Sequence, residues 1–176
     1  MARNVEIKAR IENVATMTPA VARLASEGPL EIAQDDTFFH CANGRLKLRA
    51  FSNEFGELIF YRRVNQAGPK ESFFIRSPTS SPETLRESLS LAYGQIGRIR
   101  KYRTLFLVGR TRVHLDRVEG LGHFLELEVV LAADEPASDG VREAHELMDS
   151  LGIQPAQLIE GAYLDLMLEA GSVAAS

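Results

Sequence analysis

Residues 111–118 read Thr111-Arg112-Val113-His114-Leu115-Asp116-Arg117-Val118, and residues 124–129 read Phe124-Leu125-Glu126-Leu127-Glu128-Val129. In both, polar and apolar side chains alternate at nearly every step, the period of a β-strand with one wet face and one buried face. Arg112, His114 and Asp116 share a face, as do Glu126 and Glu128, while Val113, Leu115, Leu125, Leu127, Val129 and Leu131 take the other. The same sorting recurs at Asn4, Glu6 and Lys8 against Val5, Ile7 and Ala9, at Arg45, Lys47 and Arg49 against Leu46 and Leu48, and at Lys101 and Arg103. An ordinary half-exposed strand also alternates, but surface strands mix hydroxyls and both charge signs freely. Here the signs are sorted by strand. A sheet closed with the charged face inward makes a tunnel whose desolvated charges are tolerable only with bound anions, metal and water.

Working outward, strands are expected over the first twelve residues and near 30–40, 45–51, 57–64, 71–76 and 97–108, besides the two already quoted, which span 111–118 and 122–131, with Gly109-Arg110 as a tight hairpin. Thr18-Pro19 predicts the start of a short helix that Gly28-Pro29 stops, and Ser81-Pro82-Glu83 opens a second helix to about Tyr93. Ser138 or Asp139 caps a third reaching about Leu151, Pro155 starts a short turn, and Tyr163 to Leu168 forms a last helical turn. Residues 65–70 read as a loop, in which Lys70 is expected to be a solvated loop lysine. No alternation of strand and helix suggests a parallel sheet. The expected fold class is therefore α+β: an eight-stranded antiparallel β-barrel, or tunnel, with a charged interior and helices packed outside.

The chain has 176 residues, 45% of them apolar and 25% charged, enough to bury the core of one domain spanning residues 1–176. No apolar run approaches the roughly 18 residues of a membrane helix and the start lacks a secretory signal, so a cytoplasmic protein is expected. The lone cysteine, Cys41, excludes an internal disulfide and a multi-cysteine zinc site. A net charge of -4 argues against nucleic-acid binding, yet Arg98 to Arg117 holds seven basic residues and Glu119 to Glu146 eight acids. Carboxylates beside Arg and Lys are the parts for handling phosphates, because Mg²⁺ or Mn²⁺ bridges carboxylate and phosphate oxygens while guanidinium forks neutralise the rest. No P-loop, kinase or dinucleotide fingerprint is present. His114 reads as a hydrogen-bonded tunnel histidine, and Phe38, Phe39, Phe60, Tyr61, Phe73 and Phe74 read as packing.

The ordered set Val5-Glu6-Ile7-Lys8, Gln34-Asp35-Asp36-Thr37-Phe38-Phe39, Gly44-Arg45-Leu46-Lys47-Leu48-Arg49, Arg100-Lys101-Tyr102-Arg103, His114 to Gly122, and Phe124-Leu125-Glu126-Leu127-Glu128 resembles the CYTH superfamily. That superfamily comprises the class IV adenylyl cyclases and thiamine triphosphatases, also called triphosphate tunnel metalloenzymes. The resemblance runs through nearly the whole chain. It implies that Glu6, Glu126 and Glu128 bind a divalent cation, Mg²⁺ or Mn²⁺, and that Lys8, Lys47, Arg49, Arg63 and Arg103 grip phosphates. Asp116 matches an acid near the metal or catalytic water, so Glu6, Lys8 and Asp116 are the expected catalytic residues. The implied reaction is conversion of ATP to cyclic AMP and pyrophosphate by a monomer or homodimer; hydrolysis of thiamine triphosphate or tripolyphosphate, or binding without turnover, are the alternatives. One departure stands out: the family signature Glu-x-Glu-x-Lys is here Asn4-Val5-Glu6-Ile7-Lys8. Without the first carboxylate a second metal is expected to bind more weakly.

Overall fold

The alternation of the terminal strands sorts charge from hydrocarbon on opposite sides of one sheet. Strand β1 (Ala2–Ile11) pairs antiparallel with β8 (Gly122–Val130), setting Lys8 opposite Glu126 and Glu6 opposite Glu128 on one face, and Ile7 opposite Leu127 on the other. This pairing also closes a ring. In the computed structural model, which describes residues 2–63 and 66–174, the strands run in the order β1-β5-β4-β3-β2-β6-β7-β8 and return to β1. The others are β2 (Glu27–Phe39), β3 (Arg45–Ala50), β4 (Gly56–Arg63), β5 (Lys70–Thr79), β6 (Gln95–Val108) and β7 (Thr111–Val118). All pairs are antiparallel, as the sequence led us to expect.

The main apolar core lies outside the ring. Val5, Ile7, Val113, Leu115, Leu125, Leu127 and Val129 are buried against helix α1 (Val14–Leu24) and helix α3 (Ala137–Ser150), which brings Ala144, Leu147 and Met148. Helix α2 (Pro82–Tyr93) lies over β2 and β3, where Arg86 donates to the Thr37 hydroxyl at 2.9 Å. Each apolar side chain so buried contributes about 1.5–3 kcal/mol, which is what lets the inner face be polar. Gly140 on α3 shows how close this packing is, since a Cβ there would meet Leu131 Cδ2 at 2.7 Å and Val5 Cγ2 at 2.8 Å. Gly140→Val is expected to lower stability by about 2 kcal/mol, because neither neighbour has room to retreat. Urea denaturation measures it, and an unchanged midpoint would mean that α3 is not seated as described.

A second, smaller cluster closes one end of the ring. Helix α4 (Tyr163–Ala174) presents Tyr163 and Leu164 to Phe38, Ile99 and Phe124, and the Tyr163 ring packs 4.8 Å from that of Phe124. None of the described helices is long and apolar enough to cross a membrane.

Several local expectations are corrected. Helix α1 starts at Val14, not after Thr18, because Asn13 caps it by accepting from the Ala15 amide at 2.7 Å. Pro19 sits inside it, and docking Val14 and Val21 on the barrel outweighs the lost backbone bond. Gly28-Pro29 ends no helix; it lies within β2, which begins at Glu27. Strand β5 extends on both sides of 71–76, and α3 starts at Ala137 with Pro136 at its cap position. Helix α4 continues past Leu168 to Ala174. Val64, expected to end β4, and Asn65 of the expected loop lie outside the described residues.

Candidate active site

The inner faces of the strands enclose a cavity of about 320 Å³. Period-two alternation carries Asn4, Glu6 and Lys8 into it from β1, Lys47 and Arg49 from β3, Arg63 from β4, Lys101 and Arg103 from β6, His114 from β7, and Glu126 and Glu128 from β8. Asp116, next on the same face of β7, is wholly buried beneath Arg103. Of the site residues expected from the sequence, all but Asp116 line this one enclosure, with Glu6, Glu126 and Glu128 together on β1 and β8.

On the acidic wall, register sets Glu126 opposite His114 and Glu128 opposite Arg112. Ligand atoms of His114, Glu126 and Glu128 lie within 4.8 Å of one another, a group able to hold a cation. Asn4 adds to it. Its Nδ2 donates to Glu128 Oε1 at 2.7 Å, which leaves the buried Oδ1 without a partner. His114 Nδ1 is likewise orphaned, 3.6 Å from Glu126 Oε1. Two carboxylates, an unsatisfied amide oxygen and an unsatisfied imidazole nitrogen fit a hard or borderline divalent cation, because buried acceptors without partners are costly unless something else satisfies them. Glu6 differs from the expected ligand set in its surroundings: its carboxylate is taken up by a hydrogen bond from Arg63 Nη1.

The basic residues are held by paired acids. Arg49 donates twice to Asp36, at 2.8 and 2.7 Å, and Lys47 stands 3.4 Å from the same carboxylate. Arg103 donates twice to Asp116, at 2.7 and 2.8 Å, Lys101 is 3.5 Å away, and the Tyr163 hydroxyl donates to Asp116 at 2.8 Å. The Asp116 carboxylate is therefore taken up by Arg103, Tyr163 and Lys101. Lys8 bridges the two walls, 3.2 Å from Glu126 and 4.0 Å from the centre of the Tyr163 ring. Burial pushes the Asp116 and Asp36 carboxyls up, but their guanidinium and ammonium neighbours outweigh it and hold both well below the usual carboxylate range. Burial likewise raises Glu126, and Lys8, His114 and Arg103 together bring it down.

Burial, with the Arg49 charge beside it, brings the Lys47 ammonium down to about 8 despite Asp36. As pH rises through about 8, Lys47 in the ligand-free protein sheds its proton and its grip on an anion weakens. Titration with tripolyphosphate at pH 8–9 is therefore expected to take up protons, because the polyanion restores the ammonium, and Lys47→Arg should reduce that uptake. Calorimetry in buffers of different ionisation enthalpy reads it; a heat independent of buffer would contradict it.

Lys70 is corrected outright. It is 2% exposed rather than solvated, and its Nζ donates to the carbonyls of Gln66 at 3.0 Å and Glu160 at 2.7 Å. Tyr163 was not anticipated as part of the site: it lies 47 residues along the chain from Asp116, with no local pattern joining them. Asp36 was quoted in a motif without a role, although its parity with Gln34 and Phe38 marks it as inward-facing.

A family model described as the CYTH domain matches residues 2–163. Adenylate cyclase CyaB of Aeromonas hydrophila is 28% identical over 169 residues, covering 92% of this chain and 87% of that protein. Among solved structures, the PH1012 protein of Pyrococcus horikoshii OT3 aligns over 93% of this chain and 98% of its own, with a TM-score of 0.82 at 20% identity. HpAC1 of Hippeastrum, described as having a dominant triphosphatase activity, aligns over 92% of this chain and 91% of its own, with a TM-score of 0.61 at 17% identity. Both likenesses are of fold.

Proposed function

Because this chain belongs to the CYTH domain family, we propose that it is a divalent-metal-dependent enzyme acting on a triphosphate, and that its reaction is that of a class IV adenylyl cyclase. The carrying observation is the closed wall itself, which brings Asn4, His114, Glu126 and Glu128, with Asn4 Oδ1 and His114 Nδ1 left unsatisfied, into one cavity with Lys8, Lys47, Arg49, Arg63 and Arg103. Mg²⁺ or Mn²⁺ held by Glu126 and Glu128, with Asn4 and His114 beside them and Glu6 behind Arg63, would neutralise phosphate charge and polarise the attacking oxygen. The chain's own groups do the rest. Lys47, Arg49 and Arg103 hold the outer phosphates, and Arg63 and Lys8 stand between the acids and the triphosphate. Asp116 and Asp36 act as positioning residues, fixing the forks of Arg103 and Arg49 before substrate arrives. The ribose 3′ hydroxyl then releases its proton to solvent as its oxygen bonds to the α-phosphorus, and the bond from that phosphorus to the departing pyrophosphate breaks. The whole chain acts as one domain, in the cytoplasm, as a monomer or homodimer, and without a nucleic-acid partner.

The name of the Aeromonas relative supports the cyclase reading, while the fold shared with HpAC1 is compatible with hydrolysis, in which the same wall aims water at a terminal phosphate. A product assay separates them. ATP, thiamine triphosphate and tripolyphosphate are supplied in turn with Mg²⁺ or Mn²⁺, and cyclic AMP, pyrophosphate and orthophosphate are resolved. Cyclic AMP with pyrophosphate is expected; orthophosphate alone would replace the cyclase with a hydrolase. No product from any of them, with binding intact, would leave a triphosphate-binding module. Asn4→Glu, which restores the family's first acid, is expected to tighten metal binding and to lower stability without metal, since it adds a like charge beside Glu128. Melting curves with and without Mn²⁺ test this, and a metal-independent shift would argue against Asn4 belonging to the cation site.

A further inference from the structure

The inward parity of β3 and β4 continues past their ends. Lys47 and Arg49 line the cavity, and so does Phe51; residues 57, 59, 61 and 63 line it, and so does Phe55. These two phenylalanines flank the Ser52-Asn53-Glu54 turn, and both line the tunnel at the end opposite Tyr163. Their rings stack, with centroids 5.4 Å apart and planes at 17°. The turn is clamped by the Phe51 and Ser52 amides, which donate to the Phe55 carbonyl at 3.0 and 3.2 Å, so the pair is presented on a rigid hairpin. Phe55 is nonetheless 47% exposed. Phe55 thus combines a place in the cavity lining with a large apolar area open to a ligand.

The chemistry changes sharply at this point. Arg49, the outermost phosphate-gripping residue of β3, lies two residues before Phe51 on the same face, about 6–7 Å away. Along β3 the lining turns from Lys47 and Arg49 to Phe51, with Phe55 beside it on the turn, while Glu57 stands opposite Arg49 and Ile32 opposite Arg103. A ligand whose phosphates lie on Lys47 and Arg49 has the Phe51–Phe55 pair within reach of its other end.

Resting on the triphosphate reading above, we propose that the Phe51–Phe55 pair is a stacking platform that selects triphosphates carrying a flat heteroaromatic head, a nucleoside or thiamine, over inorganic tripolyphosphate. The exposed face of Phe55 stacks on the head, and Phe51 supports Phe55 from behind. Stacking of this kind tolerates different rings, since each offers a π-face, and the inner cations hold the phosphates whatever the head.

The test is calorimetric titration of the parent, Phe55→Ala, Phe55→Leu and Phe55→Tyr with methylene-bridged ATP, thiamine triphosphate and tripolyphosphate. Phe55→Ala and Phe55→Leu are expected to weaken a headed ligand about tenfold or more, while tripolyphosphate changes less than about twofold and Phe55→Tyr retains the parent affinity. The headed ligand that responds identifies the head. Equal weakening of all three ligands, or of none, would overturn the platform, as would Leu serving as well as Tyr. If the parent holds tripolyphosphate but Phe55 has no effect on headed ligands, the platform alone fails; if the parent holds none of the three, the triphosphate reading fails with it. Thermal melts of the three variants within a few degrees of the parent exclude a folding defect as the cause.

Discussion

Glu126→Gln is expected to reduce metal-supported turnover at least about a hundredfold while the barrel stays folded. The substitution keeps the shape but replaces one acceptor oxygen with a donor NH2 and removes the charge from the centre of the acidic wall, where Glu126 lies 3.2 Å from Lys8 and 3.6 Å from His114. A hard divalent cation draws most of its affinity from anionic oxygens, and Gln supplies a neutral one. Lys8 has its Tyr163 ring contact to fall back on, and burial already lowers its proton affinity, so losing its partner need not unfold the chain. Turnover measured across a Mn²⁺ titration, beside a thermal melt, gives both numbers. Activity that survives undiminished would remove Glu126 from the cation site.

Asp116→Ala should act mainly on stability. Asp116 is wholly buried and receives two hydrogen bonds from Arg103 and one from Tyr163, with Lys101 3.5 Å away. Removing it strands two buried cations, and breaking a buried pair in this way costs about 3–5 kcal/mol. A polyanion supplies the missing charge. Tripolyphosphate is therefore expected to stabilise Asp116→Ala more than it stabilises the parent, as urea midpoints with and without it would reveal. A small loss of stability, or an equal gain from the ligand in both proteins, would mean that Asp116 does not hold these cations in place. The parent should show the related pH effect. Asp116 and Asp36 have folded values depressed below the ordinary one, so their contribution is complete above about pH 4 and drains away as pH falls further.

The inner wall was legible because a strand has a period of two. Once Glu126 and Glu128 share a face, so do Leu125 and Leu127, and the same holds for Lys47 and Arg49 or for His114 and Asp116. Local chemistry misled where distant contacts overrode it. Thr18-Pro19 has the form of a helix start, yet Asn13 caps a longer helix whose apolar side docks on the barrel. Lys70 sits after Gly68-Pro69 like any loop lysine, and only the approach of the 160 carbonyl, 90 residues away, buries it.

Alternation along the chain is enough to give the strands, their two faces and the residue types on each, because it is a property of neighbouring residues. Which carboxylate met which cation, and what stood at each end of the tunnel, were decided only by ring closure. Closure brings β1 against β8 and sets Tyr163 on Asp116. It saturates Asp116 and Asp36 with cations while leaving Asn4 Oδ1 and His114 Nδ1 unsatisfied. Those differences among inward-facing groups arise from distances across the ring, and residues far apart along a chain carry no local pattern that records them.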